Sequence, residues 1–231
     1  MIAKDRDGGS NERIGLFGGT FNPVHLGHVN AARDVKTRFG LDRIYFIPSA
    51  QPPHKPGTRL ASAHDRYTMV VLGLEGADAL FPCDVEIQRA GPSYSVDTVA
   101  FFKKRMGAAG ELFFILGVDA FLEIDTWKSS EALLRQAAFI VMTRPDKAVS
   151  EAELYKVMAS YIKATLSSAY TFNAACGTWL HPSLRPIYPV VVSPMDVASS
   201  QLRDQLRRGE PADRWLNPAV AAYIKQKGLY R

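Results

Sequence analysis

The residues best suited to chemistry lie in segment 18–28, which reads GGTFNPVHLGH and follows the first predicted strand. The two glycines that open the segment let a ligand approach the backbone closely, because neither carries a Cβ. The helix predicted to begin near Leu26 presents free N–H groups to an anion. His25 and His28 lie three residues apart at this helix start, so both imidazoles can face one phosphate. The segment therefore predicts a phosphate site.

Two further segments carry groups that bind anions. Four prolines stiffen the loop 48–56, which holds Lys55 beyond the sheet edge, where its ammonium can neutralise phosphate oxygens. A solvated lysine on a rigid loop explains the same residues equally well. Ser199 and Ser200 begin a later predicted helix and Arg203 lies one turn further on, which predicts a second anion cradle. Serine caps are also common in purely structural roles.

Two single residues have both a functional and a structural interpretation. Asp119 follows a predicted strand and can accept hydrogen bonds from a ribose or cap the next helix. Trp127 can stack on a ligand ring or pack in the core. The sequence contains neither GxGxxG nor GxxxxGK[ST], and it shows no Ser-His-Asp set and no metal-ligand cluster. Cys83 and Cys176 form no disulfide framework, and Cys83 is predicted to be a core residue.

Strands alternating with helices must position these groups. Strands are predicted over 13–18, 43–47, 80–87, 111–116 and 138–143. Helices are predicted over 26–39, 62–74, 95–106, 130–136, 151–163, 199–208 and 218–227. The helix over 199–208 is predicted to begin with a serine cap. Segment 185–192 contains two prolines and is predicted to be an edge or a short strand. The pattern indicates an α/β fold with a Rossmann-like, doubly wound parallel sheet, whose ligands bind at the carboxyl ends of the strands.

Composition excludes several classes of protein. The chain has 231 residues, 47% of them hydrophobic and 22% charged, which excludes a disordered chain. No apolar stretch is long enough for a membrane span. The net charge of +5 is dispersed, so we expect no nucleic-acid partner. We see no secretory signal and expect a cytoplasmic protein. We predict a flexible tail over 1–12 and one domain over 13–231, with a helical part from about 199 to 231.

Phosphate-binding groups without a protein nucleophile suit one reaction. In nucleotidyl transfer, a phosphate of the acceptor attacks the α-phosphate of ATP, and an ionised phosphate needs no general base. The enzyme must align two anions and stabilise the charge of the transition state. Mg²⁺ bound with ATP would offset charge on the departing pyrophosphate.

These residues also resemble a known family. GGTFNPVHLGH resembles the signature of the nucleotidyltransferase superfamily that carries the (H/T)xGH motif, which by itself is specific only to the superfamily. The further segments PPHKP, GPSYSVDT, FILGVDAFLEIDTW, VASSQLR and YIKQKGLYR, in this order, resemble bacterial nicotinate mononucleotide adenylyltransferases. The resemblance runs from residue 13 to the end and is weakest over 146–196.

The resemblance implies an activity and the residues that perform it. The family joins ATP and nicotinate mononucleotide into nicotinate adenine dinucleotide and pyrophosphate. The resemblance implies that His25 and His28 contact the ATP phosphates and stabilise the transition state, together with Lys55 and Arg203. The implied ATP-binding residues are Gly18, Gly19, Thr20, Phe21, Gly117, Asp119, Ser199 and Ser200. The implied mononucleotide-binding residues are Ser49, Tyr94, Ser95, Trp127 and Arg144.

Two departures from the family pattern and three alternatives stay open. Ala198 stands where the family has a serine, and Ser49 stands where it often has an asparagine. A sister enzyme would act on nicotinamide mononucleotide or phosphopantetheine, and a non-catalytic nucleotide sensor could share the fold. A basic nucleic-acid-binding protein fits less well, because the charge is scattered. The sequence leaves the oligomeric state open.

Overall fold

The computed structural model describes residues 12–52, 60–106, 110–143, 150–193 and 195–231. Its first part comprises β1 Arg13–Gly19, α1 Leu26–Phe39, β2 Arg43–Pro48, α2 Ala63–Gly73, β3 Leu80–Pro82, α3 Val85–Gln88, α4 Ser95–Met106 and β4 Glu111–Gly117. Its second part comprises α5 Val118–Phe121, α6 Ser130–Gln136, β5 Ala138–Met142, α7 Glu151–Tyr161, β6 Thr171–Asn173, β7 Thr178–Leu180, β8 Ile187–Val190, α8 Ser199–Arg207 and α9 Pro218–Lys227. Two 3₁₀ turns, Ile124–Thr126 and Asp213–Trp215, and a π-helical turn, Ile162–Leu166, complete it.

The described strands form one sheet in the order β3-β2-β1-β4-β5-β8-β7-β6. The pairs from β3 through β8 are parallel, whereas β7 and β6 run antiparallel. Strands β2 and β3 lie on one side of β1, whereas β4 and the later strands lie on its other side. Ligands of open α/β sheets bind at the point between β1 and β4 where the strand order reverses. The predicted Rossmann-like parallel sheet is confirmed.

Helices cover both faces of the sheet. Consecutive strand residues point to opposite faces, so Phe113 and Phe114 belong to two separate cores. The Phe113 core includes apolar residues of α1, α2, α8 and α9, among them Leu202 and Val220. The Phe114 core includes apolar residues of α4, α6 and α7. The C-terminal helices therefore pack into the same core as α1, which holds α8 next to the start of α1.

Most helix predictions are confirmed, and four have the predicted bounds: α1, α4, α6 and α9. α7 gives way to the π-helical turn two residues before its predicted end. The predicted serine cap of α8 is wrong. Its N-cap is Ala198, whose N–H donates to the Gln201 side chain at 2.9 Å. Within the described ranges, no helix combines the length and apolar character needed to cross a membrane.

One prediction for the sheet is wrong, and another is confirmed only in part. The strand predicted over 80–87 ends at Pro82, and α3 replaces its second half. Its last hydrogen bond to β2 runs from the Cys83 N–H to the Phe46 carbonyl at 2.9 Å, and α3 begins two residues later at Val85. β8 is short, as predicted, but it is not an edge, because it lies between β5 and β7. The carbonyls of Pro186 and Val190 accept from the β5 side. The nitrogen of Pro189 therefore faces the β7 side, where β7 pairs only at Ile187.

The antiparallel pair β6 and β7 has no counterpart among the sequence predictions. Its signal is the turn at Gly177, where φ is +62°, between two short runs rich in threonine and aromatic residues. Trp179 of β7 is fully buried and stacks on Tyr155 of α7, with ring centroids 5.5 Å apart. The pair therefore closes one end of the sheet against α7, away from the carboxyl ends of β1 and β2.

Candidate active site

A cavity of about 400 Å³ lies at the carboxyl ends of β1, β2 and β4. It collects residues predicted separately along the sequence: Gly18, Gly19, Thr20, Ser49, Tyr94, Ser95, Gly117 and Trp127. They meet because the ends of parallel strands share one sheet edge, and because α4 begins at that same edge. The structure thus brings together most residues that the resemblance assigned to the mononucleotide, together with the glycine turn after β1.

Aromatic rings and a helix terminus shape the cavity wall. Trp127 is half-buried and meets Phe114 edge to face, with ring centroids 6.1 Å apart. Lys128 places its ammonium 4.3 Å from the centre of the Tyr94 ring. α4 begins at Ser95, and the first N–H groups of a helix have no acceptor within it. The wall therefore suits a planar ring that carries a negative group.

The loops after β1 and β2 are joined at the cavity. The backbone N–H of Ser49 donates to the Gly19 carbonyl at 2.9 Å, and its hydroxyl donates to the same oxygen at 3.1 Å. The serine that stands in place of the family's asparagine is therefore part of the cavity wall. Its hydroxyl proton is engaged within the protein.

The two histidines form a pair at the start of α1. His25 is the N-cap, and its N–H donates to Nδ1 of His28 at 3.2 Å. The ring centroids lie 3.8 Å apart. Gly27 permits this arrangement, because a Cβ there would lie 2.9 Å from Nδ1 of His25. The glycine of the HLGH segment is thus needed for the position of the first imidazole.

Burial keeps both imidazoles neutral at pH 7. It lowers the pKa of His25 to about 4. Burial and the neighbouring His25 lower the pKa of His28 well below its ordinary value. Because Nδ1 of His28 accepts a hydrogen bond, its neutral ring carries the proton on Nε2 and can donate it. Nδ1 of His25 is buried and has no partner among the described residues.

Phe21 contributes to this pair rather than to the cavity wall. Its side chain is buried and meets the His28 ring edge to face, with centroids 5.1 Å apart. Its φ of +47° is rare for a residue with a side chain, and such conformations cluster at functional sites. Any direct contact of Phe21 with a nucleotide therefore belongs to its backbone.

α8 contacts the segment that leads into His25. The Ser199 hydroxyl donates to the Pro23 carbonyl at 3.0 Å, and Nη1 of Arg203 donates to the Asn22 carbonyl at 2.8 Å. Ser200 is exposed at the start of α8. Asp119 is exposed on α5 and does not line the cavity, although its neighbours Gly117 and Ala120 do. The ligand contacts of these four residues stay predictions.

Two predicted site residues, Lys55 and Arg144, lie outside the described residues, so their roles also stay predictions. Among the residues that the structure does describe, no group of three His, Cys, Asp or Glu side chains could hold a metal ion. The described side chains therefore fit no resident metal.

Sequence reasoning missed several residues at the site, and Arg66 on α2 is the most prominent. Its side chain is 1% exposed and donates to the carbonyls of Thr20 and Ser49, at 2.8 and 2.7 Å. A signal was present, because Arg66 shares a helix face with the buried Met69 and Val70. The charged and polar cavity residues that it missed are Glu86, Ser93, Glu123 and Lys128. Glu86 was hidden by the wrong strand prediction over 80–87.

Comparison with known proteins places this geometry in a class. Residues 16–201 match the family model described as cytidylyltransferase-like. A nicotinic acid mononucleotide adenylyltransferase from Plasmodium falciparum, solved in complex with NaAD, superposes with a TM-score of 0.68 at 19% identity. That match covers 95% of this chain and 97% of the other, and at this identity it supports the fold alone. The fold and the site therefore define a nucleotidyltransferase.

Curated sequences narrow the class further. A protein of Desulfatibacillum aliphaticivorans named probable nicotinate-nucleotide adenylyltransferase is 40% identical over 94% of this chain and 99% of its own length. A protein of Chromobacterium violaceum with the same name is 37% identical over 96% of this chain and all of its own length. The chain belongs to the nicotinate-nucleotide adenylyltransferase family.

Proposed function

We propose that this chain transfers the adenylyl group of ATP to nicotinate mononucleotide, which yields nicotinate adenine dinucleotide and pyrophosphate in NAD biosynthesis. One observation carries the proposal. The histidine pair at the start of α1 and a cavity walled by Trp127, Tyr94 and the start of α4 adjoin the same glycine turn after β1. The names of the curated relatives support it.

The reaction needs alignment more than proton transfer. A phosphate oxygen of the mononucleotide forms a bond to the α-phosphorus of ATP. The bond from that phosphorus to the oxygen bridging the α- and β-phosphates breaks, and pyrophosphate leaves with the electron pair. Because the attacking phosphate is already ionised, no base has to remove a proton. The protein lowers the barrier by holding two anions in line and stabilising the transition-state charge.

The residues around the start of α1 serve the triphosphate in this proposal. His28 donates from Nε2 to a phosphate oxygen, and His25 lies against it at the helix terminus. A polyanion beside the rings raises their pKa values, so each can gain positive charge as the ligand binds. Arg203 and Ser199, with Lys55 from outside the described residues, complete the anion site. Residues of the glycine turn, Gly117 and Asp119 serve the rest of ATP.

The cavity serves the mononucleotide. Trp127 stacks on the pyridine ring, and the N–H groups near Tyr94 and Ser95 receive the nicotinate carboxylate at the positive end of α4. Ser49 forms the facing wall, and Arg144 assists from outside the described residues. Mg²⁺ bound to ATP would offset charge on the leaving pyrophosphate. The proposal places the chain in the cytoplasm, with no nucleic-acid partner.

The test is Mg²⁺-dependent release of pyrophosphate from ATP by the purified chain. Nicotinate mononucleotide, nicotinamide mononucleotide and phosphopantetheine are compared side by side. We expect release with nicotinate mononucleotide far above release with the other two. Preference for another acceptor would move the assignment to a sister enzyme. A folded chain that binds ATP without releasing pyrophosphate with any acceptor would indicate a nucleotide sensor.

A further inference from the structure

A buried arginine holds the loops that bound the cavity, without lining the cavity itself. The guanidinium of Arg66 donates to four backbone carbonyls: Ala61 at 3.0 Å, Thr20 at 2.8 Å, Ser49 at 2.7 Å and Ala50 at 3.3 Å. These carbonyls belong to the loop after β1, the loop after β2 and the residues before α2. One side chain therefore links three separate stretches of the chain.

The opposite side of the β2 loop is held by Ser93. Its hydroxyl oxygen accepts from the N–H groups of Ala50 and Gln51, at 2.8 and 3.2 Å. Its own N–H donates to the Gln51 carbonyl at 3.1 Å. The Ser93 hydroxyl is hydrogen-bonded in turn to the carboxylate of Glu86. That carboxylate also accepts from the Thr98 hydroxyl, at 2.7 Å.

Two consecutive peptide groups thus connect opposite charges. Ser49 C=O and Ala50 N–H belong to one peptide group, and Ala50 C=O and Gln51 N–H belong to the next. In each peptide group the oxygen accepts from the Arg66 guanidinium and the N–H donates to the Ser93 hydroxyl. Both peptide dipoles therefore lie between Arg66 and the Ser93 hydroxyl that is hydrogen-bonded to Glu86. Arg66 and Glu86 are 1% and 7% exposed, and buried charges need such partners.

The charges of Arg66 and Glu86 affect each other's pKa across the loop. Burial lowers the pKa of Arg66, and the charge of Glu86 opposes that shift. Burial raises the pKa of Glu86, while hydrogen bonds from Thr98 and Ser93 and the charges of Arg89 and Arg66 oppose the rise. The guanidinium, the loop and the carboxylate therefore act as one connected unit.

We propose that Arg66, Ser93 and Glu86 form a clamp of positioning residues that fixes loop 49–51 as the wall of the acceptor site. The clamp rests on the proposed function. Its effect follows from the cavity, which is bounded by Ser49 of this loop, by Pro52 directly after it, and by Thr20, whose carbonyl Arg66 also holds. A loosened loop no longer meets the acceptor in a single geometry, so acceptor binding weakens more than ATP binding.

The test compares Michaelis constants of Ser93→Ala, Ser93→Thr and Arg66→Lys enzymes. Because the N–H groups of Ala50 and Gln51 lose their acceptor, S93A should raise the KM for nicotinate mononucleotide about tenfold. The KM for ATP should change less than about twofold. S93T restores the oxygen and should recover the wild-type value. R66K keeps the charge but loses the planar fork, and its effect combined with S93A should be less than additive, because both act on the same two peptide groups.

A second readout does not depend on catalysis. The amides of Ala50 and Gln51 should exchange with solvent faster in S93A and R66K than in the wild type. The control is T178V, which removes another buried hydroxyl. Thr178 lies in β7, outside the cavity wall, and its hydroxyl donates to the Cys176 carbonyl at 2.9 Å. It should leave both Michaelis constants and both exchange rates unchanged.

Distinct results separate this inference from the proposed function. Equal rises in both Michaelis constants, fully additive effects, or unchanged amide exchange would overturn the clamp. If R66K does not fold, S93A and S93T still decide the question. A wild-type chain without activity toward nicotinate mononucleotide would overturn the proposed function, whereas the exchange measurement would still test the clamp.

Discussion

The neutral histidine pair predicts a specific loss of stability in acid. In the folded chain, burial lowers the pKa of His25 from 6.5 to about 4, whereas the unfolded chain restores the ordinary value. Between these two values the unfolded state binds more protons than the folded state. The stability from the neutral imidazole is therefore fully present above pH 6.5 and is lost as the pH falls toward 4.

The magnitude follows from the two pKa values. Each pH unit below 6.5 costs about 1.4 kcal/mol until the folded pKa is reached. Lowering the pH from 8 to 5 should therefore reduce the free energy of unfolding by about 2 kcal/mol through His25 alone. His28 adds to this loss, because its pKa is shifted in the same direction.

The assay is urea denaturation at pH 8 and pH 5 for the wild type and His25→Asn. Asparagine is a good N-cap and does not titrate, so H25N should lose about 2 kcal/mol less than the wild type between the two pH values. The control is His64→Asn, at an exposed position in the first turn of α2. H64N should keep the pH dependence of the wild type.

A specific result would refute the reasoning. If the wild type and H25N lose the same free energy of unfolding between pH 8 and pH 5, burial does not hold His25 neutral in the folded chain. The proposed role of a neutral imidazole that gains charge beside the triphosphate would fail with it.

Three further predictions concern the reaction. H28A should lower kcat about 10²- to 10³-fold, because a donor to the transition-state charge is lost, as measured by steady-state pyrophosphate release. W127A should weaken mononucleotide binding by about 1–3 kcal/mol and ATP binding little, because one stacking face is removed; titration calorimetry with each ligand measures both. G27A should lower kcat while both ligands still bind, because its Cβ displaces the His25 ring, which would otherwise lie 2.9 Å away; ring shifts in NMR spectra report the displacement.

Each of these predictions has its own control. Circular dichroism shows whether H28A is folded, and near-normal turnover in folded protein would contradict its role. Equal loss of both ligands in W127A would contradict stacking on the pyridine ring. For G27A the matched change is Ala31→Gly, one turn further along α1, which adds no Cβ near the His25 ring. Unchanged ring shifts in G27A would contradict the steric argument.

The tertiary structure differs from the sequence predictions in two segments of the sheet. The segment predicted as a strand over 80–87 is apolar enough for a strand, but its pairing with β2 ends at Cys83, and α3 places Glu86 against Ser93 and Thr98. The prolines of segment 185–192 predict an edge or a short strand. β8 is short but lies inside the sheet, because the Pro189 nitrogen faces a stretch where β7 no longer pairs. Both outcomes depend on which groups lie next to the segment in the folded chain, and local composition does not contain that information.

The sequence by itself determined the parts of the site that are local in the chain. Apolar runs and helical periodicity indicated the alternating sheet, and the three-residue spacing of His25 and His28 placed two imidazoles at one helix start. Only the tertiary structure decided their charge and the shape of the cavity. Burial makes the histidines neutral, and a buried Arg66 joins loops that lie up to 46 residues away. The charge of a histidine and the meeting of distant loops both depend on which groups pack around a residue in the folded chain. The neighbours of that residue in the sequence do not specify those groups.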